Sequence, residues 1–433
     1  MSRFRITGQK SLSGTISVSG SKNAATPILA SVLLVRSPCT IRNVPRVEDV
    51  HRILELLSSV GASYAWTGDH EVRIDSASVD SSKLDVTTVR RLRSSVLLMG
   101  ALLGRCGSVR IPGPGGDQIG SRPLDAHLES FRQLGVSIEY DGDIYSMKQL
   151  DRDDIELTLS EGSVTATENI ILASVLMAGK KTVLQCAAAD PSVQDLCWFL
   201  IACGARISGV GTYTLIIEGI DSLHGDITYS IMPDPVETGT FICLAAAARA
   251  EMTICNASLS FMRLELQKFK EANVSFSIVR QRPSDNPRYA LCDIIVHRST
   301  QLKALRKLHN MPFPGFNPDL LQPCTVLLTQ ATGTSLVHDW MYEARQKYVE
   351  ELNKMGAQIF IADPHRILVN GPTNLYAADI TSYDIRTGAS LFIAALIASG
   401  TSTIGPAYQI DRGYERLDDR MRSLGASIER IDD

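Results

Sequence analysis

Aromatic side chains are scarce in this chain, at 6% with three tryptophans, and no apolar run approaches the roughly 20 residues that span a bilayer. The amino terminus, Met1-Ser2-Arg3-Phe4-Arg5, leads into polar sequence without the apolar core of a secretory signal, so a cytoplasmic protein is expected. Neither sign of charge dominates. With 43 Lys and Arg against 47 Asp and Glu the net charge is -4, which excludes a global pull toward nucleic acid or anionic membrane. Any anion must be held by a local cluster of bases. Metal and redox cysteine spacings are also lacking: the nine cysteines are odd in number and never spaced C-x-x-C. Their mostly apolar contexts read as reduced core thiols, with Cys106 expected to be buried and unreactive. The eight histidines show no ligand spacing, so no metal is expected.

What the chain has is bulk and repetition. At 433 residues and 44% hydrophobic content it can bury a large core, and two domains are expected. A helical apolar pattern ending in glycine and then a strand-like stretch recurs at Gly61, Gly135, Gly204, Gly356 and Gly425, with Asn273 in the same role. Successive separations are 74, 69, 69, 83 and 69 residues. Glycine and asparagine are the residues that most readily take the left-handed conformation closing a helix, so each mark reads as a helix stop before a strand. Several units add an Ala-rich helix that is apolar all round, as at 172–179 and 394–400, before a β-branched strand. Such helices belong inside, wrapped by sheet. Six α/β units with buried helices predict two pseudo-threefold domains.

Candidate chemistry begins with the loop Pro112-Gly113-Pro114-Gly115-Gly116-Asp117-Gln118-Ile119-Gly120-Ser121-Arg122-Pro123, which sets one carboxylate and one guanidinium among glycines. Glycine frees the backbone while proline pins the flanks, as suits a lid over an anionic substrate. Its glycines do not follow the G-x-G-x-x-G order, which argues against dinucleotide binding. Ser19-Gly20-Ser21-Lys22-Asn23-Ala24-Ala25 places a lysine at the start of an apolar helix, where backbone N–H groups also favour anions. Arg90-Arg91-Leu92-Arg93, Tyr383-Asp384-Ile385-Arg386 and Ile410-Asp411-Arg412-Gly413-Tyr414-Glu415-Arg416 add arginines, and Pro314-Gly315-Phe316-Asn317-Pro318-Asp319 presents one carboxylate on a rigid turn. Taken singly, each reads more simply as a solvated charge or a local ion pair.

In this order, these segments together with Ser163-Val164-Thr165-Ala166-Thr167-Glu168-Asn169 resemble the enolpyruvyl transferases, over nearly the whole chain from about Phe4 to Ile431. Ser21-Lys22-Asn23-Ala24-Ala25 fits the branch that builds cell wall better than the shikimate branch. The resemblance implies an inside-out α/β barrel fold of six βαβαββ repeats, three per domain. It implies a lid-bearing domain of residues 22–231 and a discontinuous second domain joining 1–21 to 232–433. The implied reaction moves the enolpyruvyl group of phosphoenolpyruvate to the 3-hydroxyl of UDP-N-acetylglucosamine and releases phosphate, with no cofactor. By the same resemblance Lys22, Arg122 and Arg412 contact phosphoenolpyruvate, Arg386 supports its carboxylate and Arg93 lines the same pocket. Asp319 is the implied base for the acceptor hydroxyl and Asn23 a sugar ligand. Pro123, Leu124 and Asp125 would cradle the uracil, Ser163 and Val164 would meet the nucleotide, and Met341 would stand in the wall of the sugar pocket. Glu415 and Arg416 are expected to be structural.

Three departures stand out. Asp117 occupies the place where most members carry the cysteine that protonates C3 and is captured by the epoxide fosfomycin. A carboxyl has an ordinary pKa of about 3.9, so it must be raised by burial and substrate charge to give up a proton near neutrality. Thr165 replaces the usual glycine beside the nucleotide, and Asp339-Trp340-Met341-Tyr342 is bulkier than usual. These leave open an acceptor such as UMP, or a non-catalytic nucleotide-binding relative.

Overall fold

The computed structural model describes residues 2–115, 123–150, 153–343 and 345–432. They divide into two compact units, one from residues 20–232 and the other joining 2–19 to 233–432. Each unit contains three sheets, and each sheet recurs with the same logic. In the 20–232 unit, strand Ile227–Ser230 runs parallel to Cys39–Arg42, which pairs antiparallel with Glu71–Asp75, itself antiparallel to Ser63–Gly68. In the other unit, Lys307–His309, Gly333–His338, Arg366–Gly371 and Gln358–Ile361 repeat that order and those directions. Parallel strands are usually joined by a crossover helix, and between Lys307–His309 and Gly333–His338 that helix is the apolar Leu321–Leu328.

The apolar helices are buried along most of their length. In the 20–232 unit Lys22–Ser31, Leu97–Cys106 and Val164–Ser174 pack together, and in the other Pro235–Ala247, Leu321–Leu328 and Ile385–Ile397 do the same. Every residue from Val236 to Ala247 is buried, which is why the sequence shows no polar face there. The second helix of the other repeats is instead amphipathic, the exception being Pro191–Ala202, which is buried almost throughout. Glu48–Ser59 buries Val50, Ile53, Leu54, Leu56 and Leu57 at helical spacing, with Asp49 the one charged residue buried beside them. The strands alternate in the same sense, with Phe4 and Ile6 buried between exposed neighbours.

All six helix-stop positions have positive φ, from 60° at Asn273 to 104° at Gly61. At Gly204 the backbone N–H bonds the Ile201 carbonyl and the next N–H, of Ala205, bonds the Leu200 carbonyl, which satisfies groups left over at the helix end. Asn273 adds a side-chain bond, Nδ2 donating to the Gln301 carbonyl at 2.6 Å. Where two central helices cross, Gly100 and Gly104 face backbone: a Cβ there would stand 2.3 Å from the Asn169 carbonyl oxygen and 2.4 Å from that of Leu172.

One repeat departs from the pattern. The sheet carrying Ser108–Pro112, the strand that leads into the glycine loop, has three strands rather than four. The chain before its central helix forms the short helix Val86–Val89 and the 3-10 turn Arg93–Val96, and Val86–Val89 packs on Ser108–Pro112. The cysteine reading also needs correction. Six of the nine thiols are buried and Cys255 is half-buried, but Cys106 and Cys186 are exposed. Cys106 ends the helix Leu97–Cys106, and the left-handed Gly107 (φ 73°) turns the chain out of the core just after it.

Candidate active site

In the 20–232 unit, Ser21 caps the helix Lys22–Ser31, its Oγ accepting from the Ala24 N–H at 3.4 Å. Lys22 is therefore the first helical residue, half-buried, with Nζ 3.3 Å from Asp49 Oδ2, while Asn23 is exposed. The turn is anchored from behind: the Ser21 N–H bonds the Met232 carbonyl at 2.8 Å, and the Met232 N–H bonds Asp195 Oδ2 at 3.0 Å. Asp195 also accepts from the Tyr229 hydroxyl at 2.6 Å. Burial pushes the Asp195 carboxyl up to about 7 despite those two donors. Asp190, at the cap of the helix Pro191–Ala202 that carries Asp195, is raised to about 6 by burial, and burial raises Glu168 well above the ordinary range against the Ser192 hydroxyl that bonds it.

Arg93, half-buried, opens the 3-10 turn that runs into the central helix Leu97–Cys106. The base of the glycine loop is pinned, since the Gly115 N–H reaches the Val89 carbonyl at 3.4 Å and a Cβ on Gly115 would meet the Arg90 carbonyl oxygen at 1.7 Å. Asp117 and Arg122 lie outside the described residues. Beyond them Pro123 and Asp125 are exposed and Leu124 half-buried at the start of the helix Asp125–Gln133. Ser163 caps the helix Val164–Ser174 through a 3.4 Å bond from the Ala166 N–H. Thr165, the β-branched departure, turns its hydroxyl onto His127 Nε2 at 2.8 Å. That bond ties the helix carrying Asp125 to the helix that follows Ser163 and Val164.

The other unit builds a denser cluster. Asn317 caps the turn Pro318–Leu320, its Oδ1 accepting from the Asp319 N–H at 2.9 Å, so the Asp319 side chain stands at the entry to a buried helix. Arg386 Nη2 lies 3.0 Å from Asp319 Oδ2, and Arg345 Nη2 lies 3.4 Å from Asp319 Oδ1. Both guanidiniums are 5% exposed whereas Asp319 is 22% exposed, so the carboxylate is clamped from inside and open on one side. Burial pulls the pKa of Arg386 down, but Asp319, Tyr414 and Asp234 more than offset it. Arg345 balances the same way, with Asp319 and Asp384 raising it against burial. Asp384 caps the helix Ile385–Ile397, accepting from the Arg386 and Thr387 N–H groups, which fixes where Arg386 begins. Tyr414 holds the far side of Arg386, its ring centroid 5.7 Å from the guanidinium carbon.

Arg412 is buried, with Nη1 donating to Gln409 Oε1 at 3.1 Å. Met341 is half-buried beside the exposed Trp340. Arg416 is exposed and pairs with Asp419. Arg345 and Tyr414 were missed as site residues by the sequence reasoning. Arg345 follows the bulky Asp339–Tyr342 stretch by three residues, and that proximity was the one signal available for it.

A profile of the family EPSP synthase (3-phosphoshikimate 1-carboxyvinyltransferase) matches residues 6–421. The UDP-N-acetylglucosamine 1-carboxyvinyltransferase of Bradyrhizobium diazoefficiens is 41% identical over 99% of this chain and 98% of its own. That of Treponema pallidum is 39% identical over 99% of each. Among solved structures, the enolpyruvyl transferase NikO from Streptomyces tendae superposes with a TM-score of 0.87 at 22% identity, covering 99% of both chains. An EPSP synthase from Acinetobacter baumannii gives 0.75 at 18% identity over the whole of each chain. With one family profile spanning nearly all of the sequence and full-length relatives about two-fifths identical, this chain belongs to the enolpyruvyl (carboxyvinyl) transferase family.

Proposed function

We propose that the protein transfers the enolpyruvyl group of phosphoenolpyruvate to the 3-hydroxyl of UDP-N-acetylglucosamine, releasing phosphate and supplying peptidoglycan synthesis in the cytoplasm. The full-length relatives that carry this name support that acceptor over UMP and over a non-catalytic role. The observation that carries the chemistry is the Asp319 carboxylate, held by Arg386 and Arg345 yet open on one side. Two fixed cations keep such a carboxylate oriented, and a base must be aimed before it can be basic at the right atom.

In the proposed reaction C3 of phosphoenolpyruvate takes a proton from Asp117, and the sugar oxygen attacks C2 as Asp319 removes the hydroxyl proton. The tetrahedral adduct then loses phosphate from C2 and a proton from C3, which restores the double bond. Lys22, Arg93, Arg122, Arg386 and Arg412 are assigned to the two anionic groups of phosphoenolpyruvate, where preorganised charge gives the largest catalytic benefit. Asn23, Pro123, Leu124, Asp125, Ser163, Val164 and Met341 are assigned to the acceptor.

Thr165 is compatible with this assignment because its hydroxyl is spent on His127. Phosphate release with phosphoenolpyruvate, measured separately with UDP-N-acetylglucosamine, UDP and UMP, tests the acceptor. Turnover with the first alone is expected, and equal turnover with UMP would refute it. Asp117→Asn is expected to stop the chemical step, and fosfomycin is expected to leave no adduct at Asp117, because a carboxylate is a far weaker nucleophile than a thiolate. A near wild-type single-turnover rate in Asp117→Asn would remove Asp117 from the mechanism.

A further inference from the structure

A second cluster of cations stands in the 20–232 unit, on residues to which the proposed reaction assigns no role. A cavity of about 540 Å³ is lined by Arg36, Lys83, Arg105 and Cys106 together with the backbone turn 77–80. That volume lies within the range of small-molecule sites, about 300–1,000 Å³. Arg105 is aimed by its own bonds, since Nη2 donates at 2.9 Å to the carbonyls of both Ser76 and Ala77. Its other terminal nitrogen, Nη1, is shielded from solvent and meets no acceptor among the described residues. A shielded guanidinium nitrogen left without a partner is costly in a folded protein, and it is the kind of group a ligand oxygen completes. Burial and the neighbouring Arg36 both push the pKa of Arg105 down, so the pocket concentrates positive charge without enough negative charge to balance it.

Asp80 is the one carboxylate on the wall. It stands 3.7 Å from Lys83, and its Oδ1 already accepts from the N–H and hydroxyl of Ser82. Three cations against one acid leave a surplus of two positive charges on the lining. Arg36 has no carboxylate partner among the described residues, and its side chain is exposed at the rim. Guanidinium groups match phosphate oxygens in pairs, and a surplus of two matches a phosphate monoester dianion. We infer that the Arg36, Lys83 and Arg105 cavity binds a small phosphorylated metabolite through its phosphate group, at a site separate from the one assigned to phosphoenolpyruvate.

The exposed thiol of Cys106 on the same wall reports on occupancy. A molecule seated in the cavity covers that thiol, so its alkylation slows as the site fills. The experiment measures iodoacetamide labelling of Cys106 by peptide mass spectrometry as inorganic phosphate is raised, with ionic strength held constant by chloride. Cys186, the other exposed cysteine, serves as the reference. Saturable slowing by about threefold or more at Cys106, with Cys186 unchanged, is expected. The double variant Arg36→Gln with Lys83→Gln is expected to lose that phosphate dependence while keeping wild-type turnover, which also shows that it folds. Slowing that never saturates, that Cys186 shares, or that persists in the double variant would overturn the inference. So would the absence of any slowing.

Discussion

Replacing Asp195 by asparagine isolates one buried acid and gives it a measurable pH signature. The carboxyl is fully buried and pushed up to about 7, against 3.8 for the free group. Between those values the folded protein holds a proton that the unfolded chain has released. Stability contributed by the protonated form is therefore fully present below about pH 4 and falls as pH rises toward 7. The gap of about three pH units, at about 1.4 kcal/mol each, corresponds to about 4 kcal/mol in all, of which about 3 kcal/mol is lost between pH 5 and pH 8.

Asparagine keeps the shape and has no proton to lose. Its carbonyl can accept from the Met232 N–H and its amide can donate to the Tyr229 hydroxyl, the two groups that Asp195 now serves. Urea unfolding of both proteins at pH 5 and pH 8 makes the comparison, and Asp190 and Glu168 cancel because both chains retain them. The stability of Asp195→Asn relative to wild type is expected to improve by about 3 kcal/mol on going from pH 5 to pH 8. Parallel pH profiles for the two proteins would refute the reasoning. The outcome bears on function because Asp195 holds Met232, whose carbonyl holds the Ser21 turn in front of Lys22.

Arg345→Met removes one of the two cations on Asp319 while roughly keeping side-chain volume. A lowered kcat with a nearly unchanged KM for phosphoenolpyruvate is expected, by about 10- to 100-fold, since a misaimed base costs mostly in the transition state. Steady-state kinetics decide it, and an unchanged kcat would show that Arg386 alone aims the carboxylate. Gly100→Ala is expected to cost about 3 kcal/mol or more, because the new methyl would stand 2.3 Å from backbone oxygen rather than from a movable side chain. Thermal unfolding reads this directly, and a loss under about 1 kcal/mol would mean that the helix crossing yields easily.

The sixfold repeat was legible because a left-handed helix stop tolerates few residues. Five glycines and Asn273 mark a backbone conformation whatever surrounds them. The inner helices were legible for a related reason, since a stretch such as that at 394–400, which begins inside the buried helix Ile385–Ile397, has no polar face to turn outward. The clamp on Asp319 was only half legible. Arg386 sits beside its own capping acid in sequence, whereas Arg345 reaches Asp319 from 26 residues away through tertiary packing that no local pattern encodes. The His127 to Thr165 bond spans 38 residues and was hidden for the same reason. Cys106 was misread because its exposure depends on where the helix ends rather than on its apolar neighbours.

Among the described residues, the repeat that contains Ser108–Pro112 has one strand fewer than the other five, and that difference has a mechanical result. Among the described residues, Ser108–Pro112 is bonded to a neighbouring strand along one edge only, through Ile144–Gln149. The short helix Val86–Val89 packs on this strand, and no second ladder forms on it among the described residues. Packing slides at little cost, while a hydrogen-bonded ladder must break to shift. The strand that feeds the glycine loop is thus held by one ladder and one packed helix, and the stretch that packs on it leads into Arg90, Arg91 and Arg93.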